Sequence, residues 1–413
     1  MPVRRSVRSL LISSHFPPQR GGAGVVYDQL CRHLAGRITA LSAYCDYATD
    51  LPISAAGAFD ATAPYRIVRL PLLRPPDRPR QRRFVSRLMF PVADLPILMR
   101  TLAVAAWLGI RTRARIVCIG DLISLGWMVW PLRHLLRFRV MFYVHGEELT
   151  VASTGLFFQL RGSSLRQADA IVAVSAFTRE RLVADFGVDR ARIEVISNGV
   201  DLDRFTPGPA DPAAIGAFGA ADGRVILGVG RLIERKGFDT LIEAMPAVLA
   251  RVPEARCWIA GDGPLRDALR ARIDGLGLAG RIALLGPVGD QALLALYRRA
   301  EIFAMPNRQT ASGDTEGFGL VFLEANACGK PVVAGRAGGA VEAVADGCNG
   351  LLVDGESADR VAAALLRLLT DPALYARLSA GARTRAAASG WAERAATYQA
   401  LCDSVAGTRA NPQ

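Results

Sequence analysis

Short runs of β-branched and other apolar residues alternate along the chain with longer amphipathic segments. Strands separated by such segments are typical of parallel sheets with crossover helices. In the helical segment Gly237–Leu249, apolar residues recur at helical spacing, and Pro246 predicts a kink. The strand predictions of the first half are Ser9–Ser13, Ile38–Leu41, Ile67–Leu70, Arg115–Ile119, Arg139–His145, Ala170–Val174 and Ile193–Ser197. Those of the second half are Val225–Val229, Arg256–Ala260, Ile282–Leu285, Ile302–Met305, Val332–Ala334 and Leu351–Val353.

The two groups of strands are separated by a stretch rich in Pro, Ala and Gly, Thr206–Gly223, which we interpret as a linker. A chain of 413 residues is too long for one compact core. We therefore predict two doubly wound domains, 1–200 and 201–385, with a C-terminal helix at about 386–413 that returns to the first domain. Ligands bind outside the carboxyl ends of parallel strands, which predicts a site in a cleft between the domains.

Composition narrows the classes of partner. The net charge of +12 indicates an anionic partner, which could be nucleic acid, an acidic substrate or an anionic membrane. The basic residues are spread rather than grouped with aromatic residues, which disfavours nucleic acid. Seven scattered cysteines without a C-x-x-C pair indicate reduced core thiols in a cytosolic protein. No signal peptide and no membrane span is predicted, because the apolar runs are short, as at Thr101–Ile110.

A basic segment precedes that apolar run. Arg78–Arg87 carries five arginines in ten residues and is followed by Leu88-Met-Phe-Pro91. Such a segment can dock on anionic lipid, which would place the protein peripherally at the inner face of the cell membrane. A solvated loop and helix face is an equally good interpretation.

Two carboxylates flank a predicted helix start that contains glycine, in the segment Glu316-Gly-Phe-Gly-Leu-Val-Phe-Leu-Glu324. If the helix runs from about Phe318, the acids are separated by up to about 12 Å along its axis, roughly the span from a sugar ring across a diphosphate to a ribose. The backbone N–H groups of Phe318, Gly319 and Leu320 would lie between them, at the helix end that favours phosphate. A simple helix cap is the alternative interpretation.

Two cations and a histidine also follow predicted strands. Arg231 and Lys236 lie after the first strand of the second half, where both can meet one diphosphate and stabilise charge on a leaving phosphate. A surface cluster with Glu234 is the alternative. His145 ends a hydrophobic strand beside a glycine, which predicts that it faces a ligand.

Other motifs are weaker evidence for a functional site. The loop Gly21-Gly-Ala-Gly24 lets backbone N–H groups approach an anion but lacks the dinucleotide spacing, and no P-loop occurs. His15 follows the first strand and is a weaker ligand-facing candidate. Asp201-Leu-Asp203 has the D-x-D spacing of a metal-diphosphate site, but turn and cap roles explain it, and we predict no metal.

Together these residues resemble the retaining glycosyltransferases of family 4, also called glycosyltransferase group 1, whose GT-B fold has two Rossmann-like domains facing across a cleft. The matching pieces run through nearly the whole chain in the family's order. They are Gly21-Gly22, Val144-His-Gly-Glu147, Ile196-Ser-Asn-Gly-Val-Asp201, Gly230-Arg-Leu232 with Lys236-Gly237, Ala260-Gly-Asp-Gly263, Glu316 to Glu324 with its continuation to Val333, and Ala337-Gly-Gly339.

The resemblance implies a role for each site residue. Arg231 and Lys236 bind the donor diphosphate, while Glu316 and His145 contact the donor sugar, so that these four form the catalytic set. Glu324 holds the ribose hydroxyls. The remaining donor-binding positions it implies are Gly22, at the phosphate or acceptor, Val288, near the base, and Gly317, Phe318, Gly319 and Leu320, between the two acids.

The same resemblance implies an activity. Family members transfer a hexose from a nucleotide sugar with retention, without an essential metal or other cofactor, and the departing phosphate helps to deprotonate the acceptor. Leu241–Pro246 and Met305–Arg308 are similar to the GDP-mannose-using phosphatidyl-myo-inositol mannosyltransferase branch, but Asn307–Thr315 departs from it. Both GDP-mannose and a UDP-hexose therefore stay open as donors, with a lipid-linked, polysaccharide or other glycan acceptor. A sugar-nucleotide epimerase on the same fold, which needs no acceptor, is the alternative.

Overall fold

The structure, a computed structural model, describes residues 6–19, 21–47, 49–76, 90–150, 155–216 and 223–407. The chain packs into two compact units. The first consists of the chain up to Val174, Thr178–Ser197 and the residues from Trp391 onward. The second consists of Ser175–Phe177 and Asn198–Gly390. Each unit has one parallel sheet with helices, so the predicted α/β class is confirmed.

The first unit contains a seven-stranded parallel sheet in the order β3-β2-β1-β4-β5-β6-β7. Strands such as β4 are buried along their whole length, which explains why they read as continuous apolar runs. The strands are β1 Ser9–Ile12, β2 Ile38–Ala43, β3 Arg66–Leu70, β4 Ile116–Ile119, β5 Arg139–Val144, β6 Ala170–Ala173 and β7 Ile193–Val195. The helices up to the end of this sheet are α1 Gly22–His33, α2 Ala56–Thr62, α3 Leu95–Thr112, α4 Leu122–Leu125, α5 Glu147–Thr150, α6 Leu156–Gln167 and α7 Ala176–Phe186.

The second unit contains a six-stranded parallel sheet in the order β10-β9-β8-β11-β12-β13. Its strands are β8 Arg224–Val229, β9 Ala255–Ala260, β10 Ile282–Gly286, β11 Ile302–Met305, β12 Val332–Gly335 and β13 Gly350–Val353. Its helices are α8 Pro212–Ile215, α9 Phe238–Leu249, α10 Arg266–Gly275, α11 Asp290–Arg299, α12 Leu320–Ala327, α13 Ala340–Ala343, α14 Ala358–Thr370 and α15 Pro372–Ala387. Every predicted strand is present in the two sheets, with ends shifted by at most two residues.

The last helix, α16 Trp391–Gly407, packs in the first unit. Its Asp403 carboxylate accepts the backbone N–H of Val7 at 2.8 Å, and Gln399 donates to the Val7 carbonyl at 3.0 Å. Trp391 and Tyr398 are buried there. No strand follows this helix, and its apolar face packs against the first sheet instead.

The stretch interpreted as a linker begins inside the second unit. Arg298 on α11 donates to the carbonyl oxygen of Thr206 at 3.0 Å and to its hydroxyl at 2.8 Å. Phe205 packs edge-on against Tyr297, with ring centroids 5.7 Å apart. Composition alone suggested a free connection here, but these contacts fix the start of the stretch to α11. The chain passes from the first unit to the second at Ser197–Asn198.

The cysteines are all free, as expected for reduced thiols. The expectation that all of them are core residues is wrong, because Cys348 is exposed and Cys45 is half-buried. Burial raises the pKa of the Cys118 and Cys257 thiols to about 12, so these two are inert packing groups.

Helix α3 is longer and more apolar than the run Thr101–Ile110 suggested. Among the described residues, the segment Val92–Thr112 is the one that could cross a membrane by length and composition, with 21 residues, a mean hydropathy of 1.4 and only 28% burial. It presents an exposed apolar stripe at helical spacing, made of Val92, Leu95, Met99, Trp107 and Ile110. The basic segment Arg78–Arg87 lies outside the described residues.

The strand order determines which loops meet within each unit. In the first sheet β1, β4 and β5 are neighbours, and in the second sheet β8, β11 and β12 are neighbours. Because all pairings are parallel, the loops that leave the carboxyl ends of neighbouring strands meet at one edge of each sheet. The predicted site residues follow these strands, except Val288, which follows β10.

Candidate active site

Lys236 and Glu316 form a buried ion pair in the second unit. Lys236 Nζ lies 2.5 Å from Glu316 Oε2, and the two side chains are only 12% and 11% exposed. Lys236 ends a 3₁₀ turn after β8, and Glu316 lies in the loop after the neighbouring β11. Burial acts to raise the pKa of Glu316, but the charge and hydrogen bond of Lys236 outweigh it and the pKa is lowered. The site therefore holds a charged carboxylate and a cation in contact.

A second ion pair runs beside the first. Arg235 Nη1 lies 2.8 Å from the Asp314 carboxylate. Arg235 is next to Lys236 in the chain and Asp314 is two positions before Glu316, so the two ion pairs join the same two segments. Arg308 pairs with Asp239 on α9 at 2.8 Å, and its backbone N–H donates to the Arg235 carbonyl. These contacts hold the loop between β11 and α12 against the turn that carries Lys236. No motif in the sequence predicts these two ion pairs.

The helix after Glu316 begins later than predicted. Helix α12 starts at Leu320, with Gly319 as a left-handed N-cap at φ 90°, rather than near Phe318. The backbone N–H of Phe318 is among the groups that lower the pKa of Glu316, and its role as a phosphate donor stays a prediction. Glu316 lies outside the helix, and the separation of 12 Å along one helix axis does not apply. Gly319 and Leu320 are the amides that begin the helix.

Glycines hold the backbone at Glu316. The Gly339 N–H donates to the Glu316 carbonyl at 2.8 Å. A Cβ on Gly339 would lie 1.9 Å from the Gly317 carbonyl oxygen, and one on Gly338, at φ 59°, would lie 2.3 Å from that of Glu316. Only glycine fits at such close backbone approach. This close approach explains why the family motif Ala337-Gly-Gly339 contains two glycines.

Glu324 lies on α12 and has a partner that the sequence did not indicate. The buried hydroxyl of Tyr297, on α11, donates to Glu324 Oε2 at 2.7 Å. Burial raises the pKa of Glu324, and the Tyr297 hydrogen bond opposes that rise. One carboxylate oxygen is thus held by the protein. Tyr297 reads in the sequence as an ordinary core position of an amphipathic helix.

The other predicted donor residues lie on loops or helix starts. Arg231 is exposed on the loop after β8, whereas Lys236 is nearly buried, so the two cations differ in environment. Val288 is half-buried between β10 and α11. Gly22 is the first residue of α1, and the Val25 N–H bonds to the carbonyl of Gly21. The roles of Arg231, Val288 and Gly22 stay predictions.

His145 follows β5 in the first unit and lies among aromatic rings. Its Nε2 is 2.8 Å from the Tyr27 hydroxyl. The ring stacks on Tyr143 at 5.2 Å with an interplanar angle of 25°, and Tyr27 meets it edge-on, also at 5.2 Å. Burial lowers the pKa of His145 to about 4, so the imidazole is neutral at physiological pH.

Glu148 supports the same turn. Its carboxylate accepts the backbone N–H of His145 at 3.1 Å, and its carbonyl accepts Arg161 Nη1 at 2.7 Å. Burial raises the pKa of Glu148 to about 7, which brings its titration into the physiological range. Nothing in the sequence distinguishes Glu148 from the exposed Glu147 next to it, and only its burial shows this property.

The remaining candidates do not join these clusters. His15 is exposed, with Nδ1 3.1 Å from the Ser14 hydroxyl. Asp201 Oδ1 accepts the backbone N–H groups of Asp203 and Arg204, which is the turn role expected for the D-x-D segment. Within the described ranges, no group of three or more His, Cys, Asp or Glu side chains is arranged to hold a metal ion.

Two family models match the chain, one over each half. The model described as Glycosyltransferase Family 4 matches residues 20–204, and the model described as Glycosyl transferases group 1 matches residues 217–385. Together they cover the loop of Gly22, the His145 cluster and the Lys236–Glu316 pair.

Curated relatives match along most of their length. The chain is 35% identical over 374 residues to the GDP-mannose-dependent alpha-(1-6)-phosphatidylinositol monomannoside mannosyltransferase of Mycobacterium tuberculosis, covering 88% of this chain and 89% of that protein. It is 31% identical over 389 residues to the GDP-mannose-dependent monoacylated alpha-(1-6)-phosphatidylinositol monomannoside mannosyltransferase of Corynebacterium glutamicum, covering 92% and 93%.

A solved structure shares the fold. Anabaena HepE in complex with UDP and glucose superposes with a TM-score of 0.74 at 20% identity, covering 95% of this chain and 99% of that one. This structural similarity supports the GT-B architecture, and at 20% identity it is evidence for the fold alone.

Proposed function

The chain is a glycosyltransferase of family 4, and from that premise we propose that it transfers mannose from GDP-mannose, with retention of configuration, to a phosphatidylinositol mannoside or a related lipid-linked acceptor. Its donor is a nucleotide sugar. The names of the two relatives support GDP-mannose and a phosphatidylinositol acceptor. No relative reported above supports the epimerase alternative.

The Lys236–Glu316 pair carries the proposed mechanism. An ammonium group has three N–H donors, so Lys236 can keep Glu316 and add an oxygen of the donor diphosphate. As the bond from the sugar to the diphosphate breaks, negative charge builds on the leaving phosphate, and a preorganised cation stabilises it most in the transition state. The departing phosphate then takes the proton of the acceptor hydroxyl.

We assign the other contacts around this pair. Arg231 adds a second positive charge to the diphosphate, and the amides of Gly319 and Leu320 meet a phosphate oxygen at the start of α12. Glu316 accepts hydroxyls of the donor sugar, and the free oxygen of Glu324 accepts a ribose hydroxyl. Glu316 and Glu324 are already held in these positions by Lys236 and Tyr297.

Transfer of radiolabelled mannose from GDP-mannose to phosphatidylinositol monomannoside in detergent micelles tests the site. Glu316→Gln is expected to lower the rate by ~10²-fold or more, because it removes the charge that pairs with Lys236 and accepts the sugar. Lys330→Ala is the control, since it removes the other lysine, which lies between α12 and β12, and is expected to keep activity. Full activity of Glu316→Gln would overturn the site assignment.

Two measurements test the donor and the stereochemistry. A thermal-shift series with GDP-mannose, UDP-glucose and ADP-glucose is expected to raise the melting temperature most with GDP-mannose, because a ligand that binds only the native state stabilises it. NMR of the product is expected to show an α-linked mannose, the configuration of the donor. A β-linked product would contradict retention.

We further propose that the protein works peripherally at an anionic membrane surface on the cytoplasmic side. The exposed stripe of α3 ends in Trp107 and Ile110, and Arg111 lies over the Trp107 ring at 5.3 Å. No acidic residue occurs from Leu95 to Thr112, whereas Arg100 and Arg111 are basic. Apolar and aromatic residues beside arginine suit the interface of an anionic bilayer, where a lipid acceptor would be met.

Co-sedimentation with vesicles tests this docking. The protein is expected to sediment with phosphatidylglycerol vesicles and much less with phosphatidylcholine vesicles. The triple variant Met99→Ser, Trp107→Ser, Ile110→Ser is expected to lose sedimentation, while Leu276→Ser, an exposed leucine of the second unit, keeps it. Unchanged sedimentation of the triple variant would contradict the proposal.

A further inference from the structure

We propose that Tyr27 is a positioning residue that holds the His145 ring as the tautomer protonated on Nε2, so that Nδ1 is left to accept a hydrogen bond from a hydroxyl of the donor sugar. The contact with the sugar rests on the proposed function. The tautomer itself does not, because it follows from hydrogen bonds inside the first unit.

A backbone carbonyl sets the direction of these bonds. The Tyr27 hydroxyl lies 2.9 Å from the Gly120 carbonyl oxygen and 2.8 Å from His145 Nε2. A carbonyl oxygen only accepts, so the single hydroxyl proton of Tyr27 points to Gly120. The oxygen of that hydroxyl then faces Nε2 with a lone pair, and Nε2 must carry the proton that it donates.

The surroundings leave Tyr27 little freedom. Its ring is 0% exposed, and a Cβ on Gly120 would lie 2.4 Å from the Tyr27 hydroxyl oxygen. Gly120 follows β4 and His145 follows β5, which are neighbouring strands of the sheet. The glycine thus admits the tyrosine between α1 and the ends of these two strands. The stacked Tyr143 ring covers His145 from another side.

The consequence is an imidazole with one defined acceptor. Burial keeps the ring neutral, and within the described part of the chain no donor is bonded to Nδ1. A group that hydrogen-bonds to Nδ1 must therefore be a donor. A sugar hydroxyl does so, whereas a carboxylate of a uronic acid at the same place would put two acceptors against each other and is rejected.

The tautomer can be measured without any assay of transfer. The chain has four histidines, so ¹⁵N-histidine labelling gives a simple spectrum in which a His145→Gln variant identifies the signals of His145. The unaltered protein is expected to show one tautomer, protonated on Nε2. Protonation on Nδ1, or a rapid average of both tautomers, would overturn the assignment, and this measurement needs no substitution at Tyr27.

Two variants and a matched control test the cause. Tyr27→Phe removes the hydroxyl and Gly120→Ala displaces the ring, and both are expected to turn the His145 signals into a mixture of tautomers. Tyr143→Phe is the control, because its buried hydroxyl has no hydrogen-bond partner within the described part of the chain, and its spectrum is expected to match the wild type. A wild-type spectrum in Tyr27→Phe would contradict a role for Tyr27.

Kinetics then separate the two halves of the proposal. Tyr27→Phe is expected to lower kcat about tenfold, the value of one hydrogen bond of ~1.4 kcal/mol, with the donor KM little changed. His145→Gln is expected to lose at least as much. Normal transfer by His145→Gln would overturn the sugar contact and leave the tautomer standing. Loss of transfer in Glu316→Gln with normal transfer in His145→Gln would keep the proposed function and remove only this step.

Discussion

The two units hold their functional side chains by different physics. In the second unit, Lys236 and Glu316 are both charged, nearly buried and in contact, with Arg235–Asp314 beside them. In the first unit, His145 is neutral and is held by aromatic rings and the Tyr27 hydroxyl. A buried charge is stable only with its partner, whereas a neutral ring tolerates loss of a neighbour at a cost of one hydrogen bond.

This difference suits the two tasks proposed for these residues. The leaving diphosphate is anionic, and preorganised charge in a water-poor site is what stabilises it. The sugar is neutral and presents hydroxyl groups, for which a neutral acceptor with a fixed lone pair gives selectivity without attracting other anions. Variants that remove these groups test the difference between the charged pair and the neutral ring, and the largest effect is expected for the charged pair.

Breaking the charged pair from one side should have the largest effect. Lys236→Met leaves Glu316 buried without its cation and is expected to lower the free energy of unfolding by about 3 kcal/mol and transfer by ~10²-fold or more. Adding Glu316→Gln is expected to restore most of the stability but none of the transfer. Urea denaturation and the transfer assay measure the two effects. A double variant as unstable as Lys236→Met would show that the ion pair is not the cause.

The pH dependence of stability in the His145 cluster should have two parts of opposite sign, one from Glu148 and one from His145. The pKa of Glu148 is raised from 4.5 to about 7, so the folded state holds a proton that the unfolded state has lost between these values. Stability due to this group is therefore complete below pH 4.5 and falls as the pH rises to 7, by about 1.4 kcal/mol for each unit of the shift.

The variant Glu148→Gln removes that titration. Its melting temperature is expected to rise between pH 5 and 7.5, because the folded His145, whose pKa is lowered from 6.5 to about 4, stays neutral where the unfolded histidine binds a proton at the lower pH. The wild type is expected to change less, because the fall due to Glu148 opposes this rise, and Glu393→Gln, at an exposed residue of α16, keeps the wild-type slope. Equal slopes in wild type and Glu148→Gln would mean that the group titrates in its ordinary range.

Loss of the neutral ring should be milder than loss of the charged pair. His145→Asn keeps a side chain that can accept a hydrogen bond and is expected to lower kcat about tenfold, with the free energy of unfolding lowered by about 1 kcal/mol. Transfer and urea denaturation again report the two quantities. An effect as large as that of Lys236→Met would remove the distinction drawn between the units.

The smallest effect is expected at Tyr297. Tyr297→Phe frees the carboxylate of Glu324 from its internal hydrogen bond and is expected to raise the donor KM about fivefold, the value of ~1 kcal/mol, because the ribose acceptor is less well oriented. kcat should stay within twofold. A matched test with Tyr375→Phe, whose hydroxyl bonds the Glu301 carbonyl away from Glu324, is expected to leave KM unchanged.

Much of this arrangement could be predicted from the chain. The apolar runs located every strand, because a sheet covered on both faces needs continuous apolar segments. The positions of Lys236 and His145 after strands predict their roles, and Glu316 is predicted from its spacing to Glu324 around a helix start. The order of these motifs along the chain carries the family resemblance. The start of α12 was predicted too early, because Gly319 takes a left-handed conformation that a periodicity argument does not register.

The sequence by itself determined the two parallel sheets, the family and the residues next to the strand ends, since these depend on local pattern and order. Only the tertiary structure decided the partners. Tyr27 lies 118 positions from His145, and Lys236 lies 80 positions from Glu316. Tyr27 and Tyr297 look like core positions of amphipathic helices, and for Tyr27 the glycine at 120 leaves room for the ring beside the strand ends. What gives both residues a role is the tertiary packing, which brings the hydroxyl of each buried ring to one polar atom of His145 or of Glu324.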